Sequence, residues 1–438
     1  MATLERPPSQ VLHWDLEVLD ILKNHKQLLI KLFQEYPYWS KLKYQAREQR
    51  LGAEQLWVAT KYYRQLQAEV LTLHDRFYLN VPAKLQHALH QLDMHCGGNL
   101  QSYLGPLPNS LKDRFIISSL LTEAFSSSTL EGAVSTRDRA KELIRQGKKP
   151  RTKDERMIVN NYLAMEFLRA HRNDDLTSEL LMELHDILSK DPLDQGRAGQ
   201  YRDGTQEIYI HDDLEGEMVY LPPPAEQVVP RMEELIRFFN YRQGQNTADL
   251  PWAQKLTFVH PILQATIIHF MVGYIHPFAD GNGRMARALF YWHMLRNGYW
   301  MAEYLSISQV ILQSKHQYYR AFLEVEQDEN DLTYFLLYHT KALLKAFESL
   351  KAYLERQLKK QRIDLADQAA RLGVTPRQAE MLSAIDKSAN IWTVQQTATY
   401  LTVSENTARA ELNALTDKGL LERFQIDKKS QGWRLKPR

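Results

Sequence analysis

The chain has 438 residues, of which 44% are hydrophobic and 25% charged, as is usual for a globular protein. This length suggests about three domains. The formal net charge of +2 at pH 7 gives the whole chain no bias towards polyanions or membrane surfaces. The single cysteine, Cys96, excludes an internal disulfide framework and a cysteine-based metal cluster within these residues, and it favours a reducing compartment.

Residues 1–8 lack the apolar core of a signal peptide. No run of the sequence approaches the ~20 apolar residues that are needed to span a bilayer. We therefore expect a cytoplasmic protein without a membrane partner.

Residues 1–108 are predicted to form a helical N-terminal region. Within it, residues 10–95 have apolar side chains at roughly helical spacing and predict long helices. Tyr-Pro-Tyr at residues 36–38 breaks the first of these patterns, and residues 54–73 predict a second helix. Glycine and proline near residues 97–108 then mark a boundary.

Residues 109–345 are predicted to be mainly helical with one short β-hairpin. Thr152 begins a capped helix. Residues 206–210 form the one convincing strand pattern in this part of the sequence. Residues 261–273 are apolar on more than one face, which predicts a buried central helix.

The C-terminal part is predicted to have a helical linker over residues 346–369 and a separate domain over residues 370–438. Three helix patterns and two strand patterns follow one another in that domain, an order that resembles a winged helix-turn-helix. The basic wing after Arg423 favours contact with DNA phosphates. The acidic residues of the third helix do not, so DNA binding and a docking or dimerising role both remain open.

The most informative stretch reads His-Pro-Phe-Ala-Asp-Gly-Asn-Gly-Arg-Met-Ala-Arg over residues 276–287. A largely apolar run over residues 288–295 follows it, so the pattern predicts a loop that turns into a helix. Backbone N–H groups at a helix start, with glycines that allow close approach, form an anion site. Arg284 and Arg287 are three residues apart, so we expect them on one face of this helix.

The residue types of this stretch fit a polyphosphate and a proton transfer. Two guanidiniums beside a row of amide groups suit phosphate oxygens. Asp280 could hold a magnesium ion on the phosphate. His276 could take a proton from an attacking group. The pattern therefore indicates nucleotidyl or phosphoryl transfer.

Simpler interpretations of the same residues are an ordinary turn and a known loop motif. Asp-Gly-Asn-Gly is a turn signal in many proteins. A calcium loop of the EF-hand type does not fit, because Arg284 and Met285 stand where that loop needs Asp or Asn and Gly. A Walker phosphate loop does not fit either, since no Gly-Lys-Ser/Thr follows.

The joint pattern resembles the signature of the Fic (filamentation induced by cAMP) family, in which every defining position from His276 to Arg287 matches. Residues 127–132 resemble the inhibitory-helix motif of that family. Residues 198–203, 207–210 and 221–224 resemble its flap hairpin and the proline-rich turn after it. The resemblance extends over residues 115–345.

The resemblance implies a mainly α fold: a helical Fic core with a short β-hairpin flap, a helical N-terminal region and a C-terminal winged helix-turn-helix. It also implies an autoinhibited protein adenylyltransferase. Such an enzyme transfers AMP from ATP, with Mg²⁺, to a Ser, Thr or Tyr hydroxyl of a target protein or of itself. A homodimer, and DNA through residues 370–438, are further partners that the sequence leaves open.

The resemblance also implies a role for each site residue. His276 would be the general base and Asp280 the Mg²⁺ ligand, while Arg284 and Arg287 would bind the β- and γ-phosphates. The nucleotide-binding set is Asp280, Gly281, Asn282, Gly283, Arg284, Arg287, Tyr318 and Tyr319. The inhibitory set is Ser127, Glu131 and Gly132, with Glu131 expected to pair with Arg287. The target-docking flap is Glu207, Ile208, Tyr209 and Ile210.

Three other functions remain compatible with the sequence. The first is the reverse, hydrolytic removal of AMP, and the second is the transfer of another group, such as phosphate. The third is a DNA-binding regulator in which the Fic core only senses a nucleotide.

Overall fold

The computed structural model describes the greater part of the chain. The ranges are residues 4–8, 15–97, 109–190, 198–205, 210–211, 218–242, 258–388, 391–401, 403–426 and 431–436. The fold is mainly helical, with small two-stranded antiparallel sheets. It divides into two compact units, residues 1–348 and residues 349–438. No helix in the described ranges is long and apolar enough to cross a membrane.

The first unit begins with four helices and a hairpin. These elements are α1 Leu16–Asn24, α2 Lys26–Glu35, α3 Trp39–Gln49, α4 Ala53–Gln67, β1 Glu69–Leu73 and β2 Asp75–Leu79. Tyr36, at the predicted break, adopts a left-handed conformation with φ 49° and ends α2. The prediction of a helix over residues 54–73 was wrong beyond Gln67, because residues 69–73 pair with β2 instead.

The elements around the candidate site follow. They are α5 Ala83–Cys96, α6 Asn109–Leu130, α7 Arg137–Arg145, α8 Lys153–Ala170, α9 Ser178–Ser189, β3 Ile210–His211, β4 Met218–Tyr220 and α10 Val228–Asn240. The predicted cap of α8 is present, since Thr152 accepts a hydrogen bond from the Glu155 backbone N–H. The prediction that residues 206–209 are strand lies outside the described residues.

Two buried helices form the centre of the first unit, α11 Pro261–Ile275 and α12 Asn282–Arg296. Almost every side chain of both helices is buried, so the predicted central helix is confirmed. The remaining helices are α13 Ile307–Gln313, α14 Lys315–Gln327 and α15 Thr333–Leu372, and α15 continues into the second unit. Short 3₁₀ turns lie at Ala225–Gln227 and Trp300–Glu303.

The second unit has the winged helix-turn-helix order that the sequence predicted. Its elements are α16 Pro376–Ser388, α17 Val394–Leu401, α18 Glu405–Asp417, β5 Leu421–Gln425 and β6 Gln431–Leu435. Trp392 forms an antiparallel bridge with Trp433 beside the hairpin. Leu412, Leu415 and Trp433 are among the side chains of a separate hydrophobic core.

Candidate active site

The predicted motif occupies the loop between α11 and α12. His276 caps the C-terminus of α11 in a left-handed conformation with φ 50°, and its backbone N–H donates to the Val272 carbonyl over 2.9 Å. Gly281 caps the N-terminus of α12 with φ 85°, a conformation that glycine adopts without steric cost. The loop therefore places His276 at one helix end and the amide groups of α12 at the other.

Asn282 holds the shape of this loop. Its Oδ1 accepts from the Phe278 N–H over 2.9 Å, and its Nδ2 donates to the Phe278 carbonyl over 2.7 Å. Asn282 is only 3% exposed. Both polar groups of its side chain are thus used by the loop, and Asn282 itself is the first residue of α12.

Asp280 in the loop and Arg284 in the first turn of α12 form an ion pair. Arg284 Nη2 lies 3.2 Å from Asp280 Oδ2, and Arg284 Nη1 donates to the Leu188 carbonyl at the end of α9 over 2.7 Å. Asp280 Oδ1 accepts from the Gly281 N–H over 2.6 Å. The Asp280 side chain is 64% exposed, whereas that of Arg284 is buried.

Arg287 has different partners from Arg284, on α6. Its Nη2 lies 2.8 Å from Glu131 Oε1, which is the ion pair that the sequence predicted. Its Nε donates to Ser127 Oγ over 2.8 Å, and Nη2 also donates to the Ser127 carbonyl over 3.1 Å. Burial works against the charge of Arg287, but Glu131, Tyr318 and Glu123 together outweigh it and raise the Arg287 pKa.

The Glu131 carboxylate lies directly over the first turn of α12. A Cβ atom added to Gly283 would be 2.2 Å from Glu131 Oε1. Gly132, with φ 91°, ends α6 in the manner of a common glycine cap. The cap geometry and the ion pair thus coexist, and an anionic group occupies the place where the sequence predicted phosphate.

The surroundings of His276 favour the neutral form of its imidazole. Burial lowers its pKa, and the guanidinium of Arg202 acts in the same direction. The Gly273 carbonyl and the carboxylates of Glu131 and Asp280 oppose this shift without cancelling it. A neutral imidazole can accept a proton, as a general base must.

Tyr318 is buried, and a chain of hydrogen bonds fixes its hydroxyl. Thr266 donates to the Ile262 carbonyl over 2.8 Å, so its oxygen is the acceptor for His339 Nδ1 at 3.3 Å. His339 Nε2 then accepts from His269 Nδ1 over 3.0 Å, and His269 Nε2 accepts from the Tyr318 hydroxyl over 2.9 Å. Burial lowers the pKa of His339 to about 3 and that of His269 well below its usual range.

Tyr319 lies beside Tyr318, with ring centroids 5.4 Å apart, and it is 37% exposed. Both Arg287 and Glu131 act on the Tyr318 pKa, which places Tyr318 near the ion pair. Of the predicted flap, Glu207, Ile208 and Tyr209 lie outside the described residues. Ile210 pairs with Tyr220 in the antiparallel β3–β4 hairpin.

Three residues around the site had no assigned role in the sequence analysis: Glu123, His185 and Arg202. His185 Nδ1 accepts from the Gly199 N–H, so its Nε2 carries the proton and donates to the Asp280 carbonyl over 3.0 Å. Its ring stacks on Phe278 with centroids 3.7 Å apart. Such contacts join residues far apart in the sequence, so no local pattern could have revealed them.

Comparison with known protein families gives a match within each unit. Residues 175–294 match the model of the Fic/DOC family, and residues 377–425 match that of the DeoR-like helix-turn-helix domain. The chain contains a Fic domain. The matched stretch ends inside α12 and includes the whole motif loop with Arg284 and Arg287.

The relatives of the Fic domain are distant. The protein adenylyltransferase fic-1 of Caenorhabditis elegans is 23% identical over 256 residues, which are 56% of this chain and 45% of that protein. The protein adenylyltransferase Fic of Culex quinquefasciatus is 26% identical over 178 residues, which are 40% of this chain and 29% of that protein. This chain therefore matches less than half of the length of these relatives.

A solved structure of Fic-1 from Caenorhabditis elegans shares the fold. It superposes with a TM-score of 0.52 at 18% identity, and the match covers 78% of this chain and 88% of that one. At this level of identity, the similarity extends to the fold of the polypeptide alone.

Proposed function

We propose that the chain is a protein adenylyltransferase that transfers AMP from ATP to a Ser, Thr or Tyr hydroxyl of a target protein or of itself. The observation that supports this most is the Glu131 carboxylate on Arg287, over the first turn of α12. A helix N-terminus with a buried guanidinium is a strong anion site. The loop before this helix start begins at His276, whose lowered pKa favours the neutral form that a general base needs.

In this reaction the target hydroxyl oxygen attacks the α-phosphorus, and the bond to the bridging oxygen of the β-phosphate breaks. His276 takes the hydroxyl proton, and pyrophosphate leaves. The backbone N–H groups at the start of α12 stabilise charge on the phosphates, and Arg287 holds the terminal phosphate. Positioning and electrostatics supply most of the rate in such transfers.

Asp280 suits a magnesium ion that arrives with the nucleotide. Its carboxylate is exposed at the mouth of the loop, and Mg²⁺ commonly combines one or two carboxylates with substrate phosphates. Among the described residues, no cluster of three or more His, Cys, Asp or Glu side chains could hold a metal alone. When bound, the ion would neutralise phosphate charge.

Glu131 would keep the resting enzyme inactive, because its carboxylate and the γ-phosphate need the same guanidinium. Removing one partner of a buried ion pair usually leaves an unpaired charge. Here a phosphate can replace the lost carboxylate. Glu131→Gly is therefore expected to raise productive ATP binding and adenylylation.

The test is incubation of the purified chain with Mg²⁺ and ATP labelled on either the α- or the γ-phosphate. We expect α-label and the mass of one or more AMP groups on the protein, more in Glu131→Gly than in wild type, and none in Glu131→Gly/His276→Ala. Label from the γ-phosphate alone would identify a kinase. Equal or lower α-labelling by a folded Glu131→Gly variant would remove the inhibitory role of Glu131.

DNA binding by the second unit is a second candidate function, favoured by the match to the DeoR-like helix-turn-helix model. Arg409 on α18 and Arg423 on β5 are exposed and carry the charge that phosphate contacts need. Gel retardation with genomic fragments tests it. A specific shift that Arg409→Ala weakens would support DNA binding. A shift that unrelated DNA competes away equally well would oppose a sequence-specific role.

A further inference from the structure

We propose that Arg202 is a positioning residue for the transfer: it fixes the backbone at His276 and joins the catalytic loop to both ends of the β3–β4 hairpin. This inference rests on the proposed function, because it takes His276 as the base and the hairpin as the place where a target docks.

Arg202 binds three successive carbonyl groups at the end of α11. Its Nε donates to the His276 carbonyl over 2.8 Å, and its backbone N–H donates to the Pro277 carbonyl over 2.9 Å. Its Nη2 reaches the Ile275 carbonyl at 3.4 Å. The last carbonyls of a helix have no partner within the helix, so they need donors from elsewhere. Arg202 is 8% exposed, and its planar, preorganised guanidinium supplies two of these donors while its backbone N–H supplies the third.

These contacts act on a residue with an unusual backbone conformation. His276 has φ 50°, a region that residues other than glycine seldom adopt. The direction of its imidazole depends on this conformation. With Arg202 on the carbonyls before, at and after this position, the peptide planes on either side of the His276 Cα are held in place.

The same guanidinium also reaches the hairpin. Arg202 Nη2 donates to the Pro223 carbonyl, which follows β4, while Arg202 itself precedes β3. The Tyr220 hydroxyl at the end of β4 donates to the Tyr274 carbonyl over 2.9 Å, next to the Ile275 carbonyl that Arg202 holds. A target segment added to the edge of the hairpin therefore acts on a strand pair that one arginine ties to His276.

Arg296 offers a matched control. It is another buried arginine that donates to a backbone carbonyl, that of Asp174, over 2.6 Å. It lies at the far end of α12 and makes its hydrogen bonds to Asp174, Asp175 and Asn240. Substitution there removes a similar buried side chain without touching the loop.

The experiment compares Arg202→Met, Arg202→Lys and Arg296→Met, each in the full chain and each with and without Glu131→Gly. For Arg202→Met we expect kcat to fall about 10-fold to 100-fold, since small displacements of a catalytic group have effects of this size. The KM for ATP should change little, because Arg202 does not contact the predicted phosphate site. Arg202→Lys keeps the charge but loses the planar fork of the guanidinium, so its kcat should lie between that of wild type and that of Arg202→Met.

The pH profile gives a second readout. The carboxylates of Glu131 and Asp280 and the Gly273 carbonyl face His276 and remain in every Arg202 variant that retains Glu131. Loss of the Arg202 charge should therefore move the acid limb of kcat to higher pH in Arg202→Met but not in Arg202→Lys. Equal effects of Arg202→Met and Arg296→Met on kcat and on the pH limb would overturn the positioning role.

A readout without catalysis separates this inference from the proposed function. The imidazole of His276 is followed by NMR in chains with ¹³C-labelled histidine, and its signal is assigned by its loss in His276→Gln. We expect Arg202→Met, but not Arg296→Met, to shift this signal and its titration. An unchanged His276 signal in Arg202→Met would overturn the inference even if AMP transfer is found. Absence of AMP transfer from every variant would instead count against the proposed function alone.

Discussion

At Gly283 in the candidate site, any side chain would collide with the Glu131 carboxylate. An alanine Cβ there would lie 2.2 Å from Glu131 Oε1, so the carboxylate would have to move. The same Cβ would also project into the space that we assign to phosphate. We therefore expect Gly283→Ala to weaken the ion pair without activating the enzyme.

The measurement is α-label incorporation by four proteins: wild type, Gly283→Ala, Glu131→Gly and the double variant. We expect the double variant to incorporate at least 10-fold less label than Glu131→Gly, because a methyl group blocks close approach of phosphate to the helix start. Activation of Gly283→Ala to the level of Glu131→Gly would show that phosphate binds elsewhere.

His276 determines the expected response to pH. Burial lowers its pKa below the 6.5 of a free imidazole, so the neutral, base-competent form dominates at pH 7. Activity should be complete above pH 6.5 and should fall as the pH drops through the lowered pKa of the folded protein. Rates of Glu131→Gly at saturating Mg-ATP between pH 5 and pH 8 test this, with the double variant Glu131→Gly/His276→Ala as the blank. An acid limb centred above pH 6.5 would contradict it.

At the scale of elements, α6 contacts α12 through polar groups at a four-residue spacing. Ser127 and Glu131 bind Arg287, and Glu123 lies one turn earlier on the same face. Glu123 Oε2 accepts from the Tyr291 hydroxyl over 2.9 Å, from Ser306 Oγ over 2.9 Å and from the Ser308 N–H over 3.1 Å. Helix α6 is thus attached to its neighbours at two places, by the buried, hydrogen-bonded Glu123 carboxylate and by the Glu131–Arg287 ion pair.

Glu123→Ala should loosen this attachment. It leaves the buried N–H and hydroxyl of Ser308 without their acceptor, which typically costs about 1–3 kcal/mol for each group. We expect a lower free energy of unfolding in urea and an α-labelling rate between those of wild type and Glu131→Gly. Glu155→Ala, which removes an ion pair with Arg139 on neighbouring helices, is the control for stability loss alone. A labelling rate equal to that of wild type would show that Glu131 holds its place without Glu123.

Helices and the motif loop could be predicted from the sequence, whereas the β1–β2 hairpin could not. Its residues Val70, Leu71 and Leu73 continue an apolar pattern that suits a helix as well as a strand. The strand forms because its partner carries Phe77, which packs against Phe270 and Tyr274 of α11 with ring centroids 6.2 Å and 5.4 Å away. Tertiary packing of this kind overrides local preference.

In the candidate site, too, some features could be predicted from the sequence and others could not. The loop and the Glu131–Arg287 pair follow from short motifs with a known resemblance. The tautomer of His185, the carbonyl contacts of Arg202 and the His269–His339 pair depend on side chains brought together from distant positions. The different partners of the two motif arginines were not predicted either: Arg284 binds the end of α9, while Arg287 binds Ser127 and Glu131.

At the scale of the whole molecule, the residues of the site lie in the first unit. The N-terminal helices are part of that unit: Tyr36 donates to Asp331 over 2.6 Å, and Arg64 donates to the Tyr334 hydroxyl over 2.7 Å. Arg64 also lies 3.9 Å from the centroid of the Tyr36 ring. These buried contacts connect the N-terminal helices to Asp331, between α14 and α15, and to Tyr334 at the start of α15, so we expect the core to need its N-terminal part.

The second unit has its own core, which includes Met381, Leu412 and Trp433, and none of the predicted site residues. Deleting residues 370–438 should therefore leave a folded protein that still modifies itself. The cut falls near the end of α15, after which Gly373 has φ 61°. The helix thus keeps nearly its full length, and only its last turn is lost.

The measurement compares α-label incorporated per mole by the truncated and full chains, both carrying Glu131→Gly, together with their thermal unfolding. We expect the truncated chain to incorporate label within about threefold of the full chain. Its thermal unfolding should lack only one transition, the one that a separate fragment of residues 349–438 also shows, because separate cores unfold as separate cooperative units. Deletion of residues 1–97 is the matched comparison, and it should destroy labelling because it removes Tyr36 and Arg64 from the first unit. A truncated chain that is insoluble, or folded but unable to take up label, would show that the winged-helix unit completes the catalytic core.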